Sequence, residues 1–138
     1  MIDECDFYLL VIGGRYGSVD KETGISYTEK EYNYANSKKL PVLVLIKEPL
    51  TIIEAKKDTG FDKYEKMEKL DKFREKVKND GNTVDFFTDQ HDLNYKASIT
   101  FTKAIGYVDK NARWVRYRDV VEVFNQKMHS QIEKNFLI

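Results

Sequence analysis

The sequence predicts an α/β domain on a short, mainly parallel sheet, with strands near residues 6–13, 42–46 and 82–87 and helices against its faces. Three observations carry that prediction. Two short, continuous apolar runs, FYLLVIG at 7–13 and VLVLI at 42–46, read as strands covered on both faces. Between them lies a helix start rather than a hairpin turn. Charged stretches with apolar residues at helical spacing follow.

Each element has its own signal. The first run is bounded by Asp6 and by Gly13 and Gly14. Over 28–38, Thr28 as N-cap and Glu31 three residues on make a capping box, and Tyr32 and Ala35 supply the inner face. Pro41 ends that helix and opens the second strand. Two parallel strands joined through a helix form a right-handed βαβ unit, with the loops that follow the strands at one edge of the sheet. Tyr64, Met67, Leu70, Phe73 and Val77 then mark one face of an amphipathic helix whose other face is a solvated mixture of both charges, and NDG at 79–81 ends it. NTVDFF at 82–87 is the third strand. Asp92 caps a helix with Ala97, Phe101, Ala104, Ile105 and Val108 inward, and Val120, Phe124, Met128 and Ile132 predict a last one. Between these two helices lies KNARWVRYRD, 110–119. Trp114 there reads as a core residue, and Arg113, Arg116 and Arg118 either bind a phosphate or are neutralised by Asp109, Asp119 and Glu122.

Composition narrows the function classes. The 138 residues fit one domain, 1–138, and no Gly- or Pro-rich linker divides them. Basic and acidic residues both number 23, so the basic excess of a nucleic-acid binder is missing. No apolar run approaches the ~20 residues of a membrane span, and residues 1–12 lack the basic start of a signal peptide, so the chain reads as cytoplasmic. One cysteine, Cys5, excludes an internal disulfide; His91 and His129 stand far apart without a CxxC, and no metal site or cofactor is expected.

The candidate site is the loop after the first strand, where open α/β sheets bind ligands. Gly13 and Gly14 permit a tight turn and a close approach to a ligand, and Gly17 suits a positive φ. Arg15 offers a fork of donors for phosphate or carboxylate, while Ser26, Thr28 and the helix's first N–H groups suit an anion. Glu31, one turn inside the helix, can face the same crevice. GGRYG is neither a GxGxxG fingerprint nor a P-loop. Glu31 is fully explained by its capping box with Thr28, the commoner role for such a residue, and an Arg15–Glu31 pair would make both residues structural.

Residues 4–46, ECDFYLLVIGGRYGSVDKETGISYTEKEYNYANSKKLPVLVLI, resemble the central block of the domain of unknown function 4062 family, with its strand, GxRYG, S.TE.EY..A and PVL in order. GYVDKNARWVRYRD, 106–119, resembles the tryptophan-containing segment near that family's C-terminal end. The resemblance implies a flavodoxin-like three-layer fold related to the TIR and nucleoside 2-deoxyribosyltransferase superfamily. It also implies placement in bacterial signalling or defence proteins. Family members begin with an extra strand, an SST-type loop and a helix before the segment matching Asp3–Gly14. Here Met1 falls directly before it, so the chain is expected to be an N-terminally truncated domain. A sheet edge bared in that way invites homo-oligomerisation.

In the transferase-like relatives a helix glutamate meets the oxocarbenium charge that builds as an N-glycosidic bond breaks. A small residue follows it by four positions, and then a KPV strand entry. Glu31, Ala35 and KLPV fit that frame, so the resemblance makes Glu31 the catalytic candidate, with Glu29 fitting less well. It makes Arg15 and Ser26 ribose or phosphate contacts and Tyr16 or Tyr27 a stacking surface for a base. Two function classes follow. One is a signalling or defence module with a nucleotide-binding-like crevice at the 13–35 loop. The other is an enzyme that cleaves or transfers the N-glycosidic bond of NAD or a nucleoside.

Overall fold

The computed structural model describes residues 2–107 and 125–126. The chain divides into two compact units, Met1–Val108 and Asp109–Ile138. The segment around Trp114, with Arg113, Arg116 and Arg118, lies outside the described residues, as does the predicted last helix apart from 125–126.

In the first unit three parallel strands, β1 (Tyr8–Ile12), β2 (Val42–Lys47) and β3 (Thr83–Phe87), form one sheet in that order. Tyr8 pairs with Val42 and Leu43 with Thr83 at the amino ends of the two ladders. Helix α1 (Tyr27–Ser37) connects β1 to β2, α2 (Lys63–Asn79) connects β2 to β3, and α3 (Gln90–Tyr107) follows β3. This is the α/β, flavodoxin-like layering expected from the sequence, with helices on both faces of a parallel sheet.

Strand alternation sorts the core into two layers. Toward α1 and α2, Leu10, Ile12, Val44 and Ile46 pack with Tyr32, Ala35, Leu70, Phe73 and Val77. On the other face Leu43 and Leu45 are buried, with Thr100 and Ala104 of α3 buried as well, and α3 packs on β2 and β3. Burying each large aliphatic or aromatic side chain contributes roughly 1.5–3 kcal/mol. Tyr32 is wholly buried; its hydroxyl donates to Asp80 at 2.6 Å and accepts from Asn82 at 2.7 Å, and its ring meets Phe73 edge-on at 5.5 Å between centroids. That pair of bonds ties α1 to the α2–β3 turn.

Several local expectations need correction. β2 is covered on both faces, but β1 is not: Leu9 is 38 % and Val11 41 % exposed, because β1 is the sheet's edge and α3 sits over β2 and β3. The cap of α1 is Ser26 rather than Thr28, since the Ser26 hydroxyl accepts from the Glu29 N–H at 3.1 Å. Asp89, not Asp92, caps α3, accepting from the Asp92 N–H at 2.8 Å. Tyr64, predicted inward, is 72 % exposed, whereas Arg74 is only 7 % exposed. The buried stripe of α2 is Leu70, Phe73, Arg74 and Val77. Phe101 and Ile105 of α3 stay about half exposed, since they do not share the Thr100–Ala104 line that meets the sheet.

Candidate functional site

The site assembles at the carboxyl edge of the sheet, where β1 runs into Gly13. Residues 18–26 do not form an open loop. Val19 bridges Ser26 in antiparallel fashion, the Asp20 N–H donates to Ile25 O at 2.9 Å, and Gly24 takes φ +68° to close the turn. Asp20 is bonded to Lys30, and that charge-assisted bond holds its carboxyl below the usual carboxylate range, helped by the Glu22 N–H. Gly17 takes φ +89°, the left-handed conformation expected of it. This folded loop delivers Ser26 to the start of α1.

There the cap runs through a tyrosine. Tyr16 is 4 % exposed, and its hydroxyl accepts from the Ser26 N–H at 3.2 Å and donates to Glu29 Oε2 at 2.6 Å, while the Glu29 N–H donates back to Ser26 Oγ. In a simple capping box the N3 carboxylate would take the cap N–H itself. Here the Tyr16 hydroxyl stands between the two. Burial, with the Glu29 bond second, pushes the Tyr16 hydroxyl above its ordinary pKa. Glu29 Oε1 also accepts from Lys76 Nζ at 3.2 Å, and Lys76 reaches Asn33 Oδ1 at 2.5 Å, so the network spans β1's loop, α1 and α2.

The GGRYG turn is clamped residue by residue to the β2–α2 loop. A Cβ on Gly14 would lie 2.6 Å from Ile52 Cγ2 and 2.7 Å from the Lys56 carbonyl oxygen. Gly14 thus permits a close approach, and what approaches is the chain's own loop. Arg15 donates to the Ala55 carbonyl at 3.1 Å, and the Tyr16 N–H donates to Asp58 Oδ2 at 2.7 Å. Arg74 of α2 secures the other side, donating to the Gly13 carbonyl at 2.9 Å. A Cβ on Gly13 would meet nothing within 4 Å.

Glu31 has a different neighbourhood. Its carboxylate accepts from the Tyr8 hydroxyl at 3.3 Å. Burial, followed by that carboxylate, pushes Tyr8 up to about 12. Tyr8 opens β1, and at ~3.3 Å per residue its Cα stands roughly 16 Å of strand before Gly13. Gly13, Arg15, Tyr16 and Thr28 share a small cavity of about 50 Å³ with Val11, Ile12, Leu70 and Phe73, room for a few waters. Gly14 instead lines a larger one, about 200 Å³, facing α2. Ser26, 1 % exposed, is occupied as the cap.

Sequence reading passed over Lys76, Asp58 and Arg74, and gave Glu29 second place. Arg74 had a signal: Leu70, Phe73, Arg74 and Val77 follow the 0, 3, 4, 7 spacing of one helix face. Asp58 had none, because its partner is a backbone N–H distant in sequence. Among the described residues, no cluster of three or more His, Cys, Asp or Glu is arranged to hold a metal, and no helix is long and apolar enough to cross a membrane.

A profile of the family described as a domain of unknown function, DUF4062, matches residues 1–101, stopping short of the tryptophan-containing segment. No curated protein and no solved structure matches the chain significantly.

Proposed function

The chain belongs to the DUF4062 family, and from that premise we propose that it is a recognition module of signalling or defence proteins, reading a nucleotide-type group at the crevice of the 13–35 loop. The observation that carries this reading is the state of the side chains around the GGRYG turn. Arg15 is held by a backbone carbonyl, Tyr16 and Glu29 by each other, and Glu31 by Tyr8 at the far end of β1. A carboxylate attacking an anomeric carbon has to stand within about 3–3.5 Å of it, in the same crevice that binds the phosphate and ribose. Glu31 is engaged by the Tyr8 hydroxyl and does not line the cavity that Gly13, Arg15 and Thr28 share, which favours recognition over glycosidic cleavage. The small cavity beneath Arg15 and Thr28 suits a phosphate or a ribose hydroxyl rather than a base. The signalling or defence role rests on the family resemblance.

Two measurements test the reading. Incubation with NAD and with nucleosides is expected to release no free base. Release that disappears in Glu31→Gln would establish the enzyme in place of the module. Titration with adenosine monophosphate is expected to move the amide resonances of Gly13, Gly17 and Thr28. Unmoved amides at millimolar nucleotide would remove the crevice from the proposal.

A further inference from the structure

The cavity of about 200 Å³ on the α2 side of the glycine turn is built differently from the 13–35 crevice. Its walls are Gly14, Pro49 and Ile52 on one side and Met67, Leu70, Asp71 and Arg74 of α2 on the other, with Lys57 at the β2–α2 loop. Arg74 is the unusual member. It stands on the core-facing stripe of α2 with a side chain only 9 % exposed, where a leucine would pack without electrostatic cost. Two of its nitrogens are engaged: Nη1 donates to Asp71 Oδ1 at 3.0 Å and Nη2 to the Gly13 carbonyl at 2.9 Å. The third, Nε, is buried and has no acceptor among the described residues.

A buried guanidinium is retained when its charge and its donors are matched. Asp71 matches Arg74 poorly, because its side chain is 73 % exposed and water screens it. Lys57 adds a second cation to the same wall, and its partner Glu54 is 84 % exposed. Two cations against one carboxylate leave the lining net positive by one charge. Ile52, Met67, Leu70 and Pro49 supply an apolar floor. Apolar walls around a few convergent polar groups are the usual make-up of a small-molecule site.

We propose that this cavity binds a small molecule with one anionic group, a carboxylate or a phosphate, received by Arg74 with Lys57, and an apolar body that lies on Ile52, Met67 and Leu70. Guanidinium is the side chain best matched to either oxyanion, and a planar fork held in place by Gly13 and Asp71 is already oriented for it. Leu70 is the one side chain this site shares with the cavity beneath Arg15; its anion-receiving groups, Arg74 and Lys57, lie outside the 13–35 crevice, so it stands whether or not that crevice takes a nucleotide.

The test is an NMR titration of the full chain that follows the Arg74 Nε–H resonance, with inorganic phosphate, acetate, phenyl phosphate and benzoate as probes and chloride at matched ionic strength as control. The Nε–H signal is expected to shift saturably with an organic anion and not with chloride. Benzoate or phenyl phosphate should bind at least tenfold more tightly than acetate or inorganic phosphate, because the ring buries apolar area that the small ions lack. Whichever of the two aromatic anions binds tighter identifies carboxylate or phosphate as the natural group. Lys57→Gln, at a partly exposed position that leaves the fold intact, should weaken binding about threefold to tenfold, and Arg74→Lys, followed by the Gly14 and Met67 amide resonances because lysine has no Nε–H, should weaken it further. The proposal is overturned by an Nε–H signal that stays unmoved by all four anions in the tens of millimolar, or that moves equally with chloride. Affinity unchanged in Lys57→Gln would overturn it too.

Discussion

Gly14→Ala is the sharpest probe of how this edge of the molecule is assembled. The added methyl would sit 2.6 Å from Ile52 Cγ2 and 2.7 Å from the Lys56 carbonyl oxygen, whereas carbon atoms pack at about 3.5–4.0 Å. The Ile52 contact can be relieved by rotating a side chain. The Lys56 contact is with backbone, in the 3-10 turn Glu54–Lys56 whose Ala55 carbonyl holds Arg15. Relief therefore requires the loop to move by roughly 1 Å, which strains the Arg15–Ala55 and Tyr16–Asp58 bonds together. Overpacking of this kind costs ~1–3 kcal/mol, and at about 4 °C per kcal/mol for a domain of this size a 2 kcal/mol loss lowers Tm by about 8 °C. Gly13→Ala is the control: its methyl meets nothing within 4 Å, so stability should change by less than ~1 kcal/mol. Thermal and urea melts compare the two, and hydrogen exchange at the Tyr16 amide, bonded to Asp58 at 2.7 Å, should accelerate in Gly14→Ala alone. Equal melts for the two variants would refute the argument that the loop is seated against the turn.

Two further outcomes follow from the hydrogen-bond network. Tyr16→Phe removes the hydroxyl between Ser26 and Glu29 and leaves the buried Ser26 N–H unmatched, so urea denaturation should show a loss of ~1–3 kcal/mol, while Glu31→Gln, at an exposed 3.3 Å bond, should stay within ~0.5 kcal/mol of the parent. Tyr8 and Tyr32 both titrate at about 12 in the folded chain, against about 10 when unfolded, so the folded state holds more protons above pH 10. Their stabilisation is fully present below pH 10 and declines between about 10 and 12. Melts across that range, with tyrosinate absorbance, should show Tm falling there, and removing both hydroxyls (Tyr8→Phe with Tyr32→Phe) should flatten the decline.

The alternation of strand and helix was legible because each element carries its own periodicity. VLVLI had to be buried on both faces, and Tyr32 with Ala35 had to face inward. Element ends were less legible. Thr28 and Ser26 are both acceptable caps, and Ser26 prevails because the Tyr16 hydroxyl takes its N–H and the 18–26 hairpin fixes its position. The glycine turn was recognised as a close-approach site, but Gly14 adjoins Ile52 and Lys56 rather than a ligand.

By itself the sequence determined the parallel α/β architecture, the order of its elements and the family, since hydrophobic period, capping residues and ordered motifs are local properties of the chain. Only the tertiary structure decided which polar groups meet. Arg15 is paired with the Ala55 carbonyl, Glu29 with Tyr16 and Lys76, and Glu31 with Tyr8, and Arg74 lines a cavity beside Gly14. The physical reason is range. A hydrogen bond or an unmatched buried donor depends on a few tenths of an ångström between residues up to 61 positions apart, as for Arg74 and Gly13, and no local pattern encodes that distance.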